Sequence, residues 1–141
     1  MIYRNGFTLI EVLFVLSVLS LLILISAPIH FSVLDKKTEE SFLYTLEMDL
    51  LYMQTMSYNS RTNYRMTFPD QKHYVIKKNH SIIQEREVPE GWEIDPRILP
   101  TISFNKDGTI REPGTFAIQT SANKYSVVCP LGKGRCYFAK Q

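Results

Sequence analysis

A long apolar run near the N-terminus limits the folds available to this chain more than any other feature. Residues 7–31 contain one acidic side chain, Glu11, and no lysine or arginine. About twenty apolar residues in a helix, at about 1.5 Å each, are enough to cross the hydrocarbon core of a bilayer. The run therefore predicts a transmembrane helix over residues 7–31, and the 141-residue chain has room for one further small domain.

Glu11 is unexpected in such a run, because a carboxylate in hydrocarbon costs roughly 2.5–3.5 kcal/mol. A cleaved secretory signal would place Glu11 inside its apolar region, and Pro28 disfavours cleavage after the small residues at 26–27. An ordinary single-pass anchor explains the length of the run but not the charge. Cleavage between Gly6 and Phe7 explains both, because the new α-amine of Phe7 would lie one helical turn from Glu11.

The stretch "GFTLIEVLFVLSVLSLLILI", residues 6–25, resembles the signal sequence of type IV pilins and pseudopilins. This resemblance implies that a prepilin peptidase cleaves after Gly6 and that the nitrogen of Phe7 becomes methylated. It also implies that Glu11 sets the register of the helix during assembly and that Pro28 kinks the helix. Residues 1–6 are then a cytoplasmic leader peptide.

After the apolar run, the pattern becomes that of an amphipathic helix, which is predicted to continue over residues 32–60. Apolar residues recur there at steps of three and four and are expected to cover a sheet; they are Phe42, Leu46, Leu50 and Met53, with Leu43 and Leu51 widening the stripe. The charged residues of this segment are expected to face elsewhere or to lie at the edges of the stripe; they are Asp35, Lys36, Lys37, Glu39, Glu40, Glu47 and Asp49.

Residues 61–141 contain short alternating segments that are separated by turn residues, which predicts an antiparallel meander. The candidate strands are residues 63–68, 73–78, 81–87, 91–94, 101–105, 114–120, 124–129 and 135–139. Trp92 is expected to pack in the core or at its edge. The predicted fold class is α+β, with a long N-terminal helix, transmembrane and then amphipathic, packed against a small antiparallel β-sheet. The order of elements resembles that of type IV pilins, which implies that residues 61–141 form an extracellular globular β domain.

Six residues separate the two cysteines, Cys129 and Cys136. They form a disulfide that closes a small hairpin if this part of the chain lies outside the cell, and they are free thiols if it lies in the cytosol. The two cysteines cannot form a metal site by themselves, and the three histidines are scattered, so no metal site is predicted.

No arrangement of residues in the sequence is typical of catalysis. There is no nucleophile elbow and no glycine-rich phosphate loop, so the chain is predicted not to be an enzyme and to need no cofactor. The net charge of +2 is too small to indicate a nucleic-acid partner. Basic residues at 77–78 and 133–135 can contact DNA phosphates, but such residues usually form a solvated face, so direct DNA contact is not favoured.

The segments "ISFNKDGTI", "GTFAI" and "YSVVCPLGKGR" resemble the minor pseudopilins of Gram-positive competence systems. This resemblance implies a minor pilin of a competence pilus that takes up DNA for transformation. It also implies a single-pass protein of the cell membrane, with its C-terminal domain outside, that reaches the cell surface after assembly. The implied partners are other major and minor pilins, prepilin peptidase, an assembly ATPase, a membrane platform protein and membrane lipid. A pseudopilin of a type II protein secretion system is the alternative, because the same N-terminal motif serves both systems.

Overall fold

The computed structural model describes residues 8–132 and 134–141, and it describes the backbone alone for residues 26–32. In this part of the chain one helix, α1 (Leu9–Ser57), precedes eight strands. The strands are β1 (Tyr64–Thr67), β2 (His73–Lys78), β3 (Ser81–Glu87), β4 (Glu93–Asp95), β5 (Thr101–Ser103), β6 (Gly114–Gln119), β7 (Lys124–Cys129) and β8 (Tyr137–Lys140). The chain forms two compact units, which comprise the residues up to Thr38 and the residues from Glu39 onward.

The first unit presents apolar side chains to its surroundings. Every described side chain over residues 8–25 is exposed. The Ser17 and Ser20 hydroxyls donate hydrogen bonds to backbone carbonyls of the preceding turn, at 2.7 and 2.8 Å, so neither hydroxyl needs a tertiary partner. Within the described residues, no helix combines the length and the apolar character that a membrane crossing requires. The transmembrane helix predicted over residues 7–31 begins outside the described residues and stays a prediction.

The second unit has its core where the C-terminal half of α1 meets the strands. The predicted apolar stripe is confirmed at Leu46, Leu50 and Met53, which are buried among strand residues. Leu51 was expected to widen the stripe, and that prediction is wrong because Leu51 is exposed. The physical reason is helical geometry, since each residue is rotated by about 100° from the one before it.

The strands form two sheets in the described residues, whereas the sequence predicted one. The strand orders are β3-β2-β1-β5 and β4-β6-β7-β8, and all pairs are antiparallel. β5 pairs with β1, where Ile102 lies opposite Met66, and β4 pairs with β6. Pro96 and Pro100, which have no backbone N–H to donate, lie between β4 and β5, and the chain passes there from one sheet to the other.

The α+β class is confirmed, as are the approximate positions of the strands. Trp92 is buried in the core, as predicted, and its ring meets the edge of the Phe42 ring at a centroid distance of 5.4 Å. The helix ends at Ser57, slightly before the predicted residue 60, and Asn59 takes a left-handed φ of 51° that turns the chain away.

Candidate functional site

The N-terminal end of α1 is capped by a threonine. The Thr8 carbonyl accepts hydrogen bonds from the backbone N–H groups of Glu11 and Val12 at 3.1 and 3.2 Å. The Thr8 hydroxyl oxygen also lies 3.4 Å from the Glu11 nitrogen and accepts from it, which is the contact of an N-cap. Sequence reasoning that centred on Glu11 missed Thr8, although "TLIE" has the T-x-x-E spacing of a capping box.

Glu11 lies in the first turn of α1 and is exposed. At this end of a helix the macrodipole stabilises a negative charge, typically by about 0.3–1 kcal/mol. That contribution is smaller than the roughly 2.5–3.5 kcal/mol that a carboxylate in hydrocarbon costs. The helix end therefore offsets part of the cost, and a cationic partner such as an α-amine has to supply the rest.

Three other residues predicted from the N-terminal motif are less fully described. Gly6 and Phe7 lie outside the described residues, so the pairing of the Phe7 amine with Glu11 stays a prediction. Pro28 lies within the helical backbone of α1, and its role as a kink is likewise a prediction.

The two cysteines form a disulfide in the structure. Their sulfurs are 2.01 Å apart, and the bond closes the loop that joins β7 to β8. Cys129 lies in the core, and Cys136 is partly buried against it. This hairpin approaches α1 closely, because a Cβ atom built on Gly134 would overlap the amide of Gln54, which donates a 3.0 Å hydrogen bond to the Gly108 carbonyl.

A carboxylate of α1 connects the helix to the first sheet. Asp49 accepts hydrogen bonds from the Tyr74 hydroxyl at 2.8 Å and from Arg86 Nε at 3.1 Å. Burial, together with the neighbouring Asp49, raises the pKa of Tyr74 far above its ordinary value. The expectation that Asp49 faces elsewhere is wrong, because its side chain is only 13% exposed.

A second carboxylate of α1 connects the helix to the other sheet. Glu39 is 8% exposed and accepts hydrogen bonds from the Asn123 amide at 2.9 and 3.1 Å. Burial, together with a hydrogen bond to Glu39, raises the pKa of Tyr125 to about 12. Glu39 was also expected to face away from the sheets, and that prediction is wrong. Its hydrogen bonds satisfy the oxygens that burial removes from water.

The described residues contain no group of three or more histidine, cysteine, aspartate or glutamate side chains that could hold a metal ion. What the arrangement provides is mechanical. A capped apolar helix is followed by a domain that two carboxylates and a disulfide hold together.

A family model for the prokaryotic N-terminal methylation motif matches residues 1–27. No curated protein and no solved structure gives a significant match to the chain. The matched segment includes Gly6, Phe7 and Glu11, and a motif of this kind implies processing by prepilin peptidase, assembly with other pilins and a structural role. The motif match and the α+β fold together indicate a prokaryotic type IV pilin-like protein, the precursor of a pilin or pseudopilin.

Proposed function

We propose that this chain is the precursor of a minor pilin of a competence type IV pilus that takes up DNA for transformation. The observation that carries the proposal is the methylation motif over residues 1–27. The assignment to a competence system, and more narrowly the similarity to the Gram-positive pseudopilin ComGD, is supported by the C-terminal segments "ISFNKDGTI" and "YSVVCPLGKGR".

Maturation begins with hydrolysis of the peptide bond between Gly6 and Phe7 by prepilin peptidase. The freed amine of Phe7 is then methylated and remains a cation near neutral pH. It lies at i to i+4 from Glu11, on the same helix face, or it meets the Glu11 of a neighbouring subunit. In surroundings of low dielectric constant this attraction is stronger than in water, and it fixes the register of one helix against the next.

Residues 7–31 anchor the protein in the cell membrane until it enters the fibre. The support for this anchor is the unbroken set of exposed apolar side chains on α1, which begins at Leu9 and continues to Ile25. The C-terminal domain lies outside the membrane. The Cys129–Cys136 disulfide supports that side, because disulfides persist in oxidising surroundings.

The processing step is tested on the full chain, produced in membranes with and without an active prepilin peptidase. Intact mass and N-terminal sequencing should show loss of residues 1–6 and an N-methylated Phe7 only when the enzyme is present. Gly6→Ile should abolish cleavage because it places a branched side chain at the scissile bond, whereas Gly6→Ala should retain part of it. Recovery of the uncut chain with a working peptidase would refute the proposal.

The biological system is tested by deletion of the gene and complementation. Loss of transformation with normal protein secretion supports a competence pilus. Loss of secretion with normal transformation assigns the chain to a type II secretion system instead. Complementation with Gly6→Ile should fail in either system, which connects the phenotype to processing.

A further inference from the structure

A cavity of about 130 Å³ lies between α1 and the C-terminal hairpin. Its apolar lining comes from both elements and from the end of β5, and consists of Met48, Leu50, Leu51, Phe104 and Cys136. Glu47 and Arg135 also line it, and both are exposed. The cavity therefore offers an apolar interior with one negative and one positive group at its solvent side.

The same domain carries an unusually exposed apolar side chain, Ile98. It is 83% exposed, the largest value among the large apolar residues that the structure describes. Even Leu9, at the start of the apolar helix, is less exposed, at 80%. A lone exposed isoleucine is not informative by itself, so the conformation of its loop has to be considered.

The loop that carries Ile98 is held in one shape. Asp95 Oδ1 accepts a hydrogen bond from the Arg97 N–H at 3.0 Å, and the Leu99 N–H donates to the Pro96 carbonyl at 2.8 Å. Leu99 is buried and anchors the loop to the core, so its neighbour Ile98 is presented to solvent. Arg97 has a left-handed φ of 49°, which is uncommon for a residue with a side chain and is often found where function requires it.

The charges beside Ile98 complement those beside the cavity. Asp95 and Arg97 flank the isoleucine, whereas Arg135 and Glu47 line the cavity. We propose that Ile98 of one copy of this chain inserts into the cavity of a second copy, with Arg97 facing Glu47 and Asp95 facing Arg135. Insertion of a preformed loop loses little conformational entropy.

The sizes are compatible with this insertion. An apolar cavity of about 150 Å³ admits benzene, which has six carbons, and the side chain of isoleucine has four. Because the loop and the cavity are different surfaces of one chain, the contact is heterologous and can repeat from copy to copy without closing. The contact involves only residues after Glu39, so it does not depend on cleavage at Gly6.

Cross-linking between two differently tagged full-length copies in the same membranes tests the contact. One copy carries Ile98→Cys and the other carries Met48→Cys, and oxidation should give a product with both tags. The matched control is Ile82→Cys, at a position that is 57% exposed on β3 and does not line the cavity. A yield no higher than that control, or a product that joins Ile98→Cys to a different protein, would overturn the proposal.

Resonance energy transfer between labelled full-length copies in detergent gives a second test without added cysteines. Ile98→Asp should weaken association about tenfold or more, because it removes a buried apolar side chain, and Ile82→Asp should leave it unchanged. Glu47→Lys should weaken association about two- to fivefold, and Arg97→Glu on the partnering copy should restore it. Equal effects of the Ile98 and Ile82 variants would refute the insertion. The results should be the same in a Gly6→Ile background, which separates this proposal from that of processing.

Discussion

At the residue scale, the carboxylate of Asp49 receives a buried tyrosine hydroxyl and an arginine side chain on the same pair of oxygens. Tyr74 is fully buried, so water cannot replace Asp49 as the acceptor for its hydroxyl. Arg86 retains 38% exposure of its side chain and can return to solvent if the pair is broken. The two contacts should therefore differ in their contribution to stability.

We expect Asp49→Ala to lower the free energy of unfolding by about 1–3 kcal/mol, because it leaves the Tyr74 hydroxyl buried without a partner. Arg86→Ala should cost less than about 1 kcal/mol, since an ion pair open to solvent contributes little. Urea denaturation of the full chain in detergent measures both. Adding Tyr74→Phe to Asp49→Ala should recover part of the loss. Equal costs for Asp49→Ala and Arg86→Ala would contradict this account.

The turn before β2 contains an exposed pair of titrating groups. Asp70 Oδ1 accepts hydrogen bonds from the backbone N–H groups of Lys72 and His73, and the His73 ring lies 2.9 Å from the same carboxylate. The backbone N–H of Lys72 and the ring of His73 together lower the pKa of Asp70. The Asp70 carboxylate raises the pKa of His73 above its ordinary value of 6.5.

We expect Asp70→Asn to lower the pKa of His73 toward its ordinary value, because the amide keeps an acceptor for the turn but loses the charge. An NMR titration of the His73 ring protons measures the change. The sign follows from linkage: the pair stabilises the fold fully below pH 6.5, and this contribution is lost as the pH rises through the raised pKa. An unchanged titration in the variant would show that Asp70 does not perturb His73.

At the element scale, the disulfide joins the end of β7 to the residue before β8 across a short loop. Cross-linking a loop of this length lowers the entropy of the unfolded chain. Cys129→Ala with Cys136→Ala should therefore cost about 2–3 kcal/mol in the free energy of unfolding. Urea denaturation with and without a reductant measures it. The reduced wild type should approach the double variant, and a reductant should not affect the double variant.

The approach of the hairpin to α1 depends on the absence of a side chain at Gly134. Gly134→Ala should cost about 1–3 kcal/mol, because the added methyl group displaces the Gln54 amide from its hydrogen bond to the Gly108 carbonyl. Combining it with Gln54→Ala, which removes the overlapping group, should give a loss smaller than the sum of the single losses. Additive losses in thermal denaturation would show that the two positions do not interact.

At the scale of the whole molecule, Glu11 is important only when the chain joins others. Glu11→Val makes α1 more apolar, so the variant should still be processed and should still reach the membrane. Its incorporation into fibres should fall on the order of tenfold, because the Phe7 amine then has no carboxylate to pair with. Immunoblots of sheared fibres and of membranes measure the two pools. Glu11→Gln keeps the size but not the charge, and normal incorporation of that variant would exclude the electrostatic explanation.

The elements and the N-terminal motif were predictable because their signals are local. A helix from residue 7 to about 58 and a strand over residues 73–78 follow from periodicity within a few turns. The T-x-x-E spacing at Thr8 was equally local and was missed only because Glu11 was explained in another way. By contrast, the burial of Glu39 depends on Asn123, which lies far along the chain, and no periodicity reports such a partner.

The sequence by itself determined the α+β class, the order and approximate bounds of the elements, and the processing motif, because hydrophobic periodicity and turn chemistry act over neighbouring residues. Only the tertiary structure decided that the strands divide into two sheets and that Asp49 and Glu39 turn inward. It alone also placed the cavity beside Cys136 and left Ile98 exposed. These features depend on which distant segments pack together, and that choice minimises the free energy of the whole domain rather than of any short stretch.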